Sequence, residues 1–199
     1  MRRLATFLAL CPSTLTLMSP PPANKSRWRR TRPLQLRLRN DRGHLVASAN
    51  MANTAEQRHE SHYMTNIAPQ VASFNRGIWE HTESIEAYYR ELNPLTTYGG
   101  LVYTDPSNDY FVTTHGIKTP DFWWKVIVTQ DASTGEDMII SWYIPNQDNL
   151  DALESYLVSV NDIEAQLMDG LSPIPVASSL KSFQATDNWA LPDGCNRHR

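Results

Sequence analysis

Apolar side chains in the middle of the chain follow two different periods, and each period predicts a different kind of element. The longer period runs over residues 73–92, where apolar and aromatic side chains return every three or four positions. Five of them lie at this spacing: Ile78, Ile85, Tyr88, Tyr89 and Leu92. This pattern predicts one long helix, with Ser73 as a candidate N-cap and Asn93-Pro94 as its end.

The shorter period predicts strands on both sides of this helix. Four stretches are rich in β-branched and aromatic side chains and are separated by turn signals: 97–104, 110–114, 123–129 and 138–144. A shorter strand is predicted at 63–69, where Pro69 is expected to stop it, and a further helix is predicted at 160–167. One long helix set against a mainly antiparallel sheet is an α+β fold.

Residues 1–39 differ from the rest of the chain in charge. They carry nine basic side chains and no acidic one, whereas the remaining chain carries nine basic and all 21 acidic side chains. The apolar stretch 4–11 after two arginines fits a secretory signal, and the acid-free, arginine-rich composition fits an organellar transit peptide equally well. A wrongly assigned start is a third interpretation. We expect a leader or atypical segment at 1–39, one domain at 40–170 and a loop-rich tail at 171–199, with a mitochondrial or secreted location.

The charge of the predicted domain limits how it would bind phosphate. Proteins that bind nucleic acid usually carry a basic surface, and the chain after residue 39 has an acidic excess. A phosphate-binding surface would therefore be a local patch, or a bound cation would supply the positive charge. No apolar run approaches the roughly 18 residues that span a bilayer, so stable membrane insertion is not expected. The two cysteines, Cys11 and Cys195, imply neither a disulfide framework nor a zinc site.

Two pairs of residues suggest chemistry. Arg42 and His44 lie two positions apart, so on a strand their side chains share a face, where arginine can hold phosphate oxygens and histidine can move a proton. Asn75 lies near the start of the predicted helix and Glu83 lies eight residues later. On a regular helix they are within about 80° of the same face and about 12 Å apart along the axis. Such oxygen ligands suit a hydrated magnesium ion. Taken alone, both pairs are more often structural.

A resemblance to a known family rests on three motifs in order. They are Asn40-Asp41-Arg42-Gly43-His44-Leu45, Tyr63-Met64-Thr65-Asn66-Ile67-Ala68-Pro69-Gln70 and Phe74-Asn75-Arg76-Gly77-Ile78-Trp79. Together they resemble the DNA/RNA non-specific endonuclease family of endonuclease G-like, ββα-metal nucleases, and the resemblance runs from about residue 40 to about residue 167. It implies a ββα-metal core, with a mainly antiparallel sheet and one long helix that carries the metal ligand, in a nuclease domain at 40–170.

The resemblance also implies a role for each matching residue. His44 corresponds to the general base, Arg42 to the arginine that contacts phosphate, Asn66 to an asparagine that supports the site, and Glu83 to the acid that grips a metal-bound water. Asn75 corresponds to the direct protein ligand of the metal. The implied activity is magnesium-dependent cleavage of DNA and RNA without strong sequence specificity, leaving a 5′-phosphate; Mn²⁺ is an alternative metal, and a homodimer is compatible with the resemblance.

Two alternatives to this activity stay open. The family places several strands and a further arginine before the first motif, and residues 1–39 show no match to those strands; Arg30 or Arg32 could stand in for that arginine. A catalytically inactive nucleic-acid-binding or interaction domain, truncated at its N-terminus, is therefore one alternative, and a phosphodiesterase for small nucleotides is another. His59 and His62 form a His-x-x-His spacing that could bind a metal on one helix face, although a solvated polar stretch is the commoner reading of such a run.

Overall fold

The structure is a computed structural model that describes residues 40–104, 110–112, 117–167, 173–193 and 195. The predicted leader lies outside the described residues, and with it Arg30, Arg32 and Cys11. Cys195 is buried and disulfide-bonded. None of the helices in the described ranges has the length and apolar character required to span a bilayer.

Two short antiparallel strands begin the described chain. Strand β1 (Asn40–His44) pairs with β2 (Ile67–Val71), so that His44 lies opposite Ile67 and Asn40 lies opposite Val71. The connection between them contains helix α1 (Ala55–Glu60) and the 3-10 turns Ser48–Met51 and Met64–Asn66.

The prediction for the second of these strands was wrong in its position. The strand does not stop at Pro69 but runs through it to Val71, and residues 64–66 form a 3-10 turn instead. Proline is tolerated here because β2 pairs with β1 alone among the described strands, so one of its edges needs no backbone N–H at this position.

The long helix is interrupted near its start. Helix α2 (Ala72–Phe74) leads into a π-turn (Asn75–Trp79) and then into α3 (Glu80–Leu92), and Gly77 within the π-turn has non-helical dihedral angles. The predicted end at Asn93 is confirmed. Ser73 is not the N-cap, because it lies inside α2 and its hydroxyl donates to Asp148.

The main sheet has three antiparallel strands, β3 (Thr96–Val102), β6 (Phe122–Gln130) and β7 (Asp137–Pro145), and β6 lies between the other two. A separate pair is formed by β4 (Tyr110–Val112) and β5 (Ile117–Lys118). The α+β prediction, with one long helix and antiparallel strands, is confirmed.

Both faces of β6 are buried, which explains its nearly continuous apolar sequence. One face, with Trp123 and Ile127, packs in a core with Ile85 of α3. The other face, with Trp124 and Val126, packs in a second core with helix α4 (Val160–Gln166), which begins in a capping box of Ser159 and Asp162. The tail adds a short helix α5 (Ser178–Lys181) and covers the first core with Trp189 and Leu191.

One side chain joins the β1–β2 hairpin to the main sheet. The Asn146 amide oxygen accepts from the Val71 N–H at 2.8 Å, and its nitrogen donates to the carbonyls of Pro69 and Pro120 at 3.1 and 2.9 Å. Asn146 therefore supplies β2 with hydrogen bonds that a neighbouring strand would otherwise make.

A buried ion pair joins α3 to β6. Lys125 is 1% exposed, and its Nζ lies 3.1 Å from Glu86 Oε2. The other Glu86 oxygen accepts from Asn50 Nδ2 at 2.7 Å, and Lys125 Nζ lies 4.6 Å from the centroid of the Trp79 ring. The two charges are therefore compensated by each other, by an amide and by an aromatic face.

Removal of one charge from this pair should be costly. Glu86→Gln is expected to lower the free energy of unfolding by about 3–5 kcal/mol, because the buried Lys125 would lose the carboxylate that it contacts. Urea denaturation measures this loss. The matched control is Glu91→Gln on the same helix, where the side chain is 58% exposed and a change within about 0.5 kcal/mol is expected. Equal losses in the two variants would contradict the assignment.

Candidate active site

Gly43 allows β1 to lie directly against the core. A Cβ atom at this position would be 2.6 Å from the Trp123 ring and 2.7 Å from Gln70 Cβ, distances that no side chain can occupy. Asp41 and Gly43 share one face of the strand by alternation, and Arg42 and His44 share the other. The absence of a side chain at Gly43 therefore lets β1 pack closely on Trp123, and the side chains of Asp41 and His44 point to opposite sides of the strand.

His62 contacts the ring of His44, on the face of β1 that also carries Arg42. His44 Nε2 lies 3.0 Å from His62 Nδ1, and the two rings meet edge-on, with centroids 4.9 Å apart. His62 Nε2 lies 3.4 Å from Ser48 Oγ. His62 is in the turn after α1, which ends at Glu60, so His59 and His62 do not share a helix face as a metal pair; the His59 ring packs against Tyr63.

The surroundings of His44 favour its neutral form. Burial lowers the pKa of His44 to about 4, and the neighbouring His62 and Arg42 contribute to the lowering. Burial also lowers the pKa of His62, with Arg42 and His59 acting in the same direction. A neutral imidazole has one nitrogen with a lone pair, so His44 can accept a proton near neutral pH.

Asn66 fixes the backbone around the two histidines. Its Oδ1 accepts from the Val46 N–H at 2.9 Å, and its Nδ2 donates to the carbonyls of Val46 and Ser61 at 2.9 and 2.8 Å. Val46 follows His44 by two residues and Ser61 precedes His62 by one. The amide therefore ties the two segments that present the histidines.

On the other face of β1, Asp41 reaches the start of the long helix. Asp41 Oδ2 accepts from Asn75 Nδ2 at 3.1 Å, and the carboxylate forms a two-pronged ion pair with Arg76, with both contacts at 2.7 Å. Burial alone would raise the pKa of Asp41, but the bonds from Arg76 and Asn75, with the charges of Arg76 and Arg42, leave it lowered. Because the nitrogen of the Asn75 amide is held by an anion, its oxygen is the atom turned to other ligands.

Glu83 lies in the first turn of α3, partly buried. Burial raises the pKa of Glu83; the charge of Lys125 opposes this rise, whereas Glu86 and Glu80 add to it. A carboxyl group in such surroundings gains from a nearby cation. The π-turn and the non-helical Gly77 replace the regular helix on which the predicted spacing of Asn75 and Glu83 depended.

The predicted site residues thus fall into two groups held by one strand. Arg42 and His44 face His62, while Asn75 is bonded to Asp41, and no hydrogen bond or ion pair in the described part of the chain joins His44 to Asn75 or Glu83. Sequence reasoning missed the contact of His62 with His44 and that of Asp41 with Asn75. Both contacts join residues more than fifteen positions apart, and the only signal for His62 was its place in a His-x-x-His spacing.

A hairpin followed by a helix, with a histidine ending its first strand and an asparagine at the helix start, is the ββα-metal arrangement. The chain belongs to the DNA/RNA non-specific endonuclease family, whose model matches residues 21–179. That match begins upstream of the described residues.

Individual relatives agree with the family. The mitochondrial endonuclease G of Bos taurus is 29% identical over 160 residues, which cover 73% of this chain and 52% of the relative. A nuclease of Nostoc sp. (strain PCC 7120 / SAG 25.82 / UTEX 2576) is 30% identical over 136 residues, which cover 63% of this chain and 47% of the relative. The chain spans about half the length of the curated relatives it matches.

A solved structure has a similar fold. The crystal structure of the EndoG/EndoGI complex matches with a TM-score of 0.54 and 23% identity, over 64% of this chain and 56% of that chain. At this identity, the likeness shows the fold alone.

The low pKa of His44 makes the stability of the fold depend on pH. Between about pH 6.5 and about pH 4, the unfolded chain binds a proton at His44 that the folded chain does not bind. The free energy of unfolding should therefore fall as the pH is lowered through this window. Urea denaturation at about pH 7.5 and about pH 5 measures the loss, which should be smaller in His44→Gln than in the wild type. An equal loss in both proteins would show that the fold does not hold His44 neutral.

Proposed function

We propose that this chain is a metal-dependent endonuclease that hydrolyses phosphodiester bonds of DNA and RNA without strong sequence specificity. Membership of the nuclease family supports the reaction class. The observation that carries the proposal is that one five-residue strand serves both groups of the site. Asp41 orients Asn75 at the helix start, and three residues later His44 carries an imidazole held in its neutral form.

The surroundings of the residues support the roles that we propose for them. His44 takes a proton from the attacking water, because its pKa is low enough to leave a ring nitrogen unprotonated. Arg42, exposed beside it, contacts the phosphate oxygens, for which a guanidinium is well shaped. Asn66 supports the backbone on both sides of this pair. As the bond from phosphorus to the 3′-oxygen breaks, the products are a 5′-phosphate and a 3′-hydroxyl.

The donor atoms fit magnesium rather than a softer metal. The described residues contain no group of three histidine, cysteine, aspartate or glutamate side chains that could hold a metal ion. Asn75 offers an amide oxygen and Glu83 a carboxylate, and magnesium takes oxygen ligands and keeps several waters. The buried Gln70 amide, opposite Asp41 on β2, has no partner in the described chain and suits a hydrated ion nearby. In this proposal Asn75 would bind the ion directly, and Glu83 would accept a hydrogen bond from a water molecule of the ion. Mn²⁺ is an alternative metal. When bound, such an ion stabilises the negative charge that develops on the phosphoryl and leaving oxygens.

The location and assembly belong to the same proposal. The bovine and human relatives are named as mitochondrial, which supports the mitochondrial reading of the arginine-rich segment 1–39. A homodimer is the assembly that we propose from the resemblance, and analytical ultracentrifugation of the full chain tests it.

One assay tests the activity. The full chain is incubated with supercoiled plasmid, with RNA and with a chromogenic nucleotide ester, each in the presence of magnesium or of chelator. The proposal requires cleavage of both polymers that chelator stops and that His44→Ala lowers by at least about a hundredfold. His59→Ala is the matched control, since it removes an exposed histidine that does not contact His44, and it should cleave as the wild type does.

Each other outcome rejects part of the proposal. Cleavage that survives His44→Ala rejects His44 as the base. Binding of plasmid without cleavage favours a catalytically inactive domain, and hydrolysis of the small ester alone favours a phosphodiesterase for small nucleotides.

A second variant tests the metal ligand. Asn75→Ala should raise the magnesium concentration needed for half-maximal cleavage by about tenfold or more, because it removes the only direct protein ligand in the proposal. Titration of activity against magnesium measures the shift. An unchanged requirement together with full activity would reject Asn75 as the ligand.

A further inference from the structure

The contact between His44 and His62 has a specific geometry. The atoms that face each other are ring nitrogens, Nε2 of His44 and Nδ1 of His62, at 3.0 Å, and the rings meet at 79°. One of the two nitrogens must carry the proton of this bond, because a hydrogen bond needs one donor and one acceptor. The contact also fills the space at Nε2, so a water molecule cannot approach His44 from that side.

We propose that His62 is a positioning residue for His44, accepting a hydrogen bond at Nδ1 from the Nε2–H of His44 and so leaving the Nδ1 lone pair of His44 for the attacking water. This inference rests on the proposed function, because it assigns His62 to the base of that reaction. A base oriented by a third group through its second ring nitrogen is the general logic of activated water and nucleophiles.

The rest of the cluster is compatible with this direction of the hydrogen bond. If His62 accepts at Nδ1, its Nε2 carries the proton and can donate toward Ser48 Oγ, 3.4 Å away. The bonds from Asn66 to Val46 and Ser61 hold the two histidine segments at a fixed separation. The distance between the two rings is therefore fixed by the backbone segments that carry them.

The arrangement also stabilises the product of proton transfer. When His44 takes a proton from water at Nδ1, it becomes a cation, and its bond from Nε2 to a neutral His62 becomes charge-assisted and stronger. A protonated His62 could not accept this bond and would repel the cation. The charged and titratable groups that face the pair are Arg42 and, next to His62, His59, and both disfavour a second positive charge on His62.

Three variants test the role of His62. His62→Leu removes the acceptor, His62→Asn keeps an acceptor oxygen at the position of Nδ1, and His59→Leu is the matched control on a nearby exposed histidine. We expect His62→Leu to lower kcat by about ten- to a hundredfold, a part of the full contribution of a general base, with KM within about twofold. His62→Asn should recover most of the loss, and His59→Leu should match the wild type. A merely structural role of His62 would predict no rescue by asparagine.

A second measurement does not depend on activity. In ¹⁵N-labelled wild-type protein near neutral pH, ring-nitrogen spectra of His44 should show a protonated Nε2 and an unprotonated Nδ1. A protonated Nδ1 on His44 would overturn the inference, since the bare nitrogen would then face His62. Because His62 is exposed, loss of the fold in His62→Leu is not expected, and urea denaturation verifies this.

The outcomes separate this inference from the proposed function. A wild-type chain that cleaves no polymer rejects the proposed function, and the nitrogen spectra still decide the direction of the hydrogen bond. An active wild type with an inactive His44→Ala and a fully active His62→Leu rejects the role of His62 alone.

Discussion

A lysine inside an apolar core must find a negative partner there, and in this fold that requirement determines where the long helix lies. Lys125 projects from the central strand of the main sheet, and Glu86 is the carboxylate it meets. The same carboxylate accepts from Asn50, in the connection that follows β1. One buried pair therefore aligns the sheet, the helix and the connection between the hairpin strands, and breaking it leaves a charge that water cannot reach.

Two further carboxylates lie close to the ion pair of Lys125 and Glu86. Glu80, Glu83 and Glu86 lie on the first two turns of α3, and Lys125 is engaged with Glu86. Burial, with the nearby charges of Glu86 and Glu80, raises the pKa of Glu83 and so disfavours its negative form. A bound cation would add positive charge here, and in the proposed function it would offset the acidic excess of the domain toward an acidic polymer.

The parts of the site that the sequence predicts are those that depend on local order. The motif with Arg42 and His44 and the end of the long helix at Asn93 follow from short-range patterns. The strand was wrongly predicted to stop at Pro69, because a strand tolerates proline where the edge that lacks the N–H has no neighbouring strand. The sequence does not show which edge is free in the assembled sheet. The π-turn at Asn75 and the contact of His44 with His62 depend on packing between distant segments, for which periodicity carries no information. Lys125 lies within an apolar run whose pattern does not reveal that it needs a partner.

The hairpin and the main sheet share no backbone ladder, and Asn146 is the side chain that connects their hydrogen-bond systems. Apolar packing also joins the two, with Gly43 close to Trp123 and Ala68 in the same core as Trp123, but this packing makes no directional bond. The directional part of this attachment therefore lies at Asn146. Loss of the Asn146 side chain, far from His44 along the chain, would remove these hydrogen bonds and leave the pairing of β1 with β2 in place. The orientation of the strand that carries His44 thus depends in part on a residue outside the motif that forms this strand.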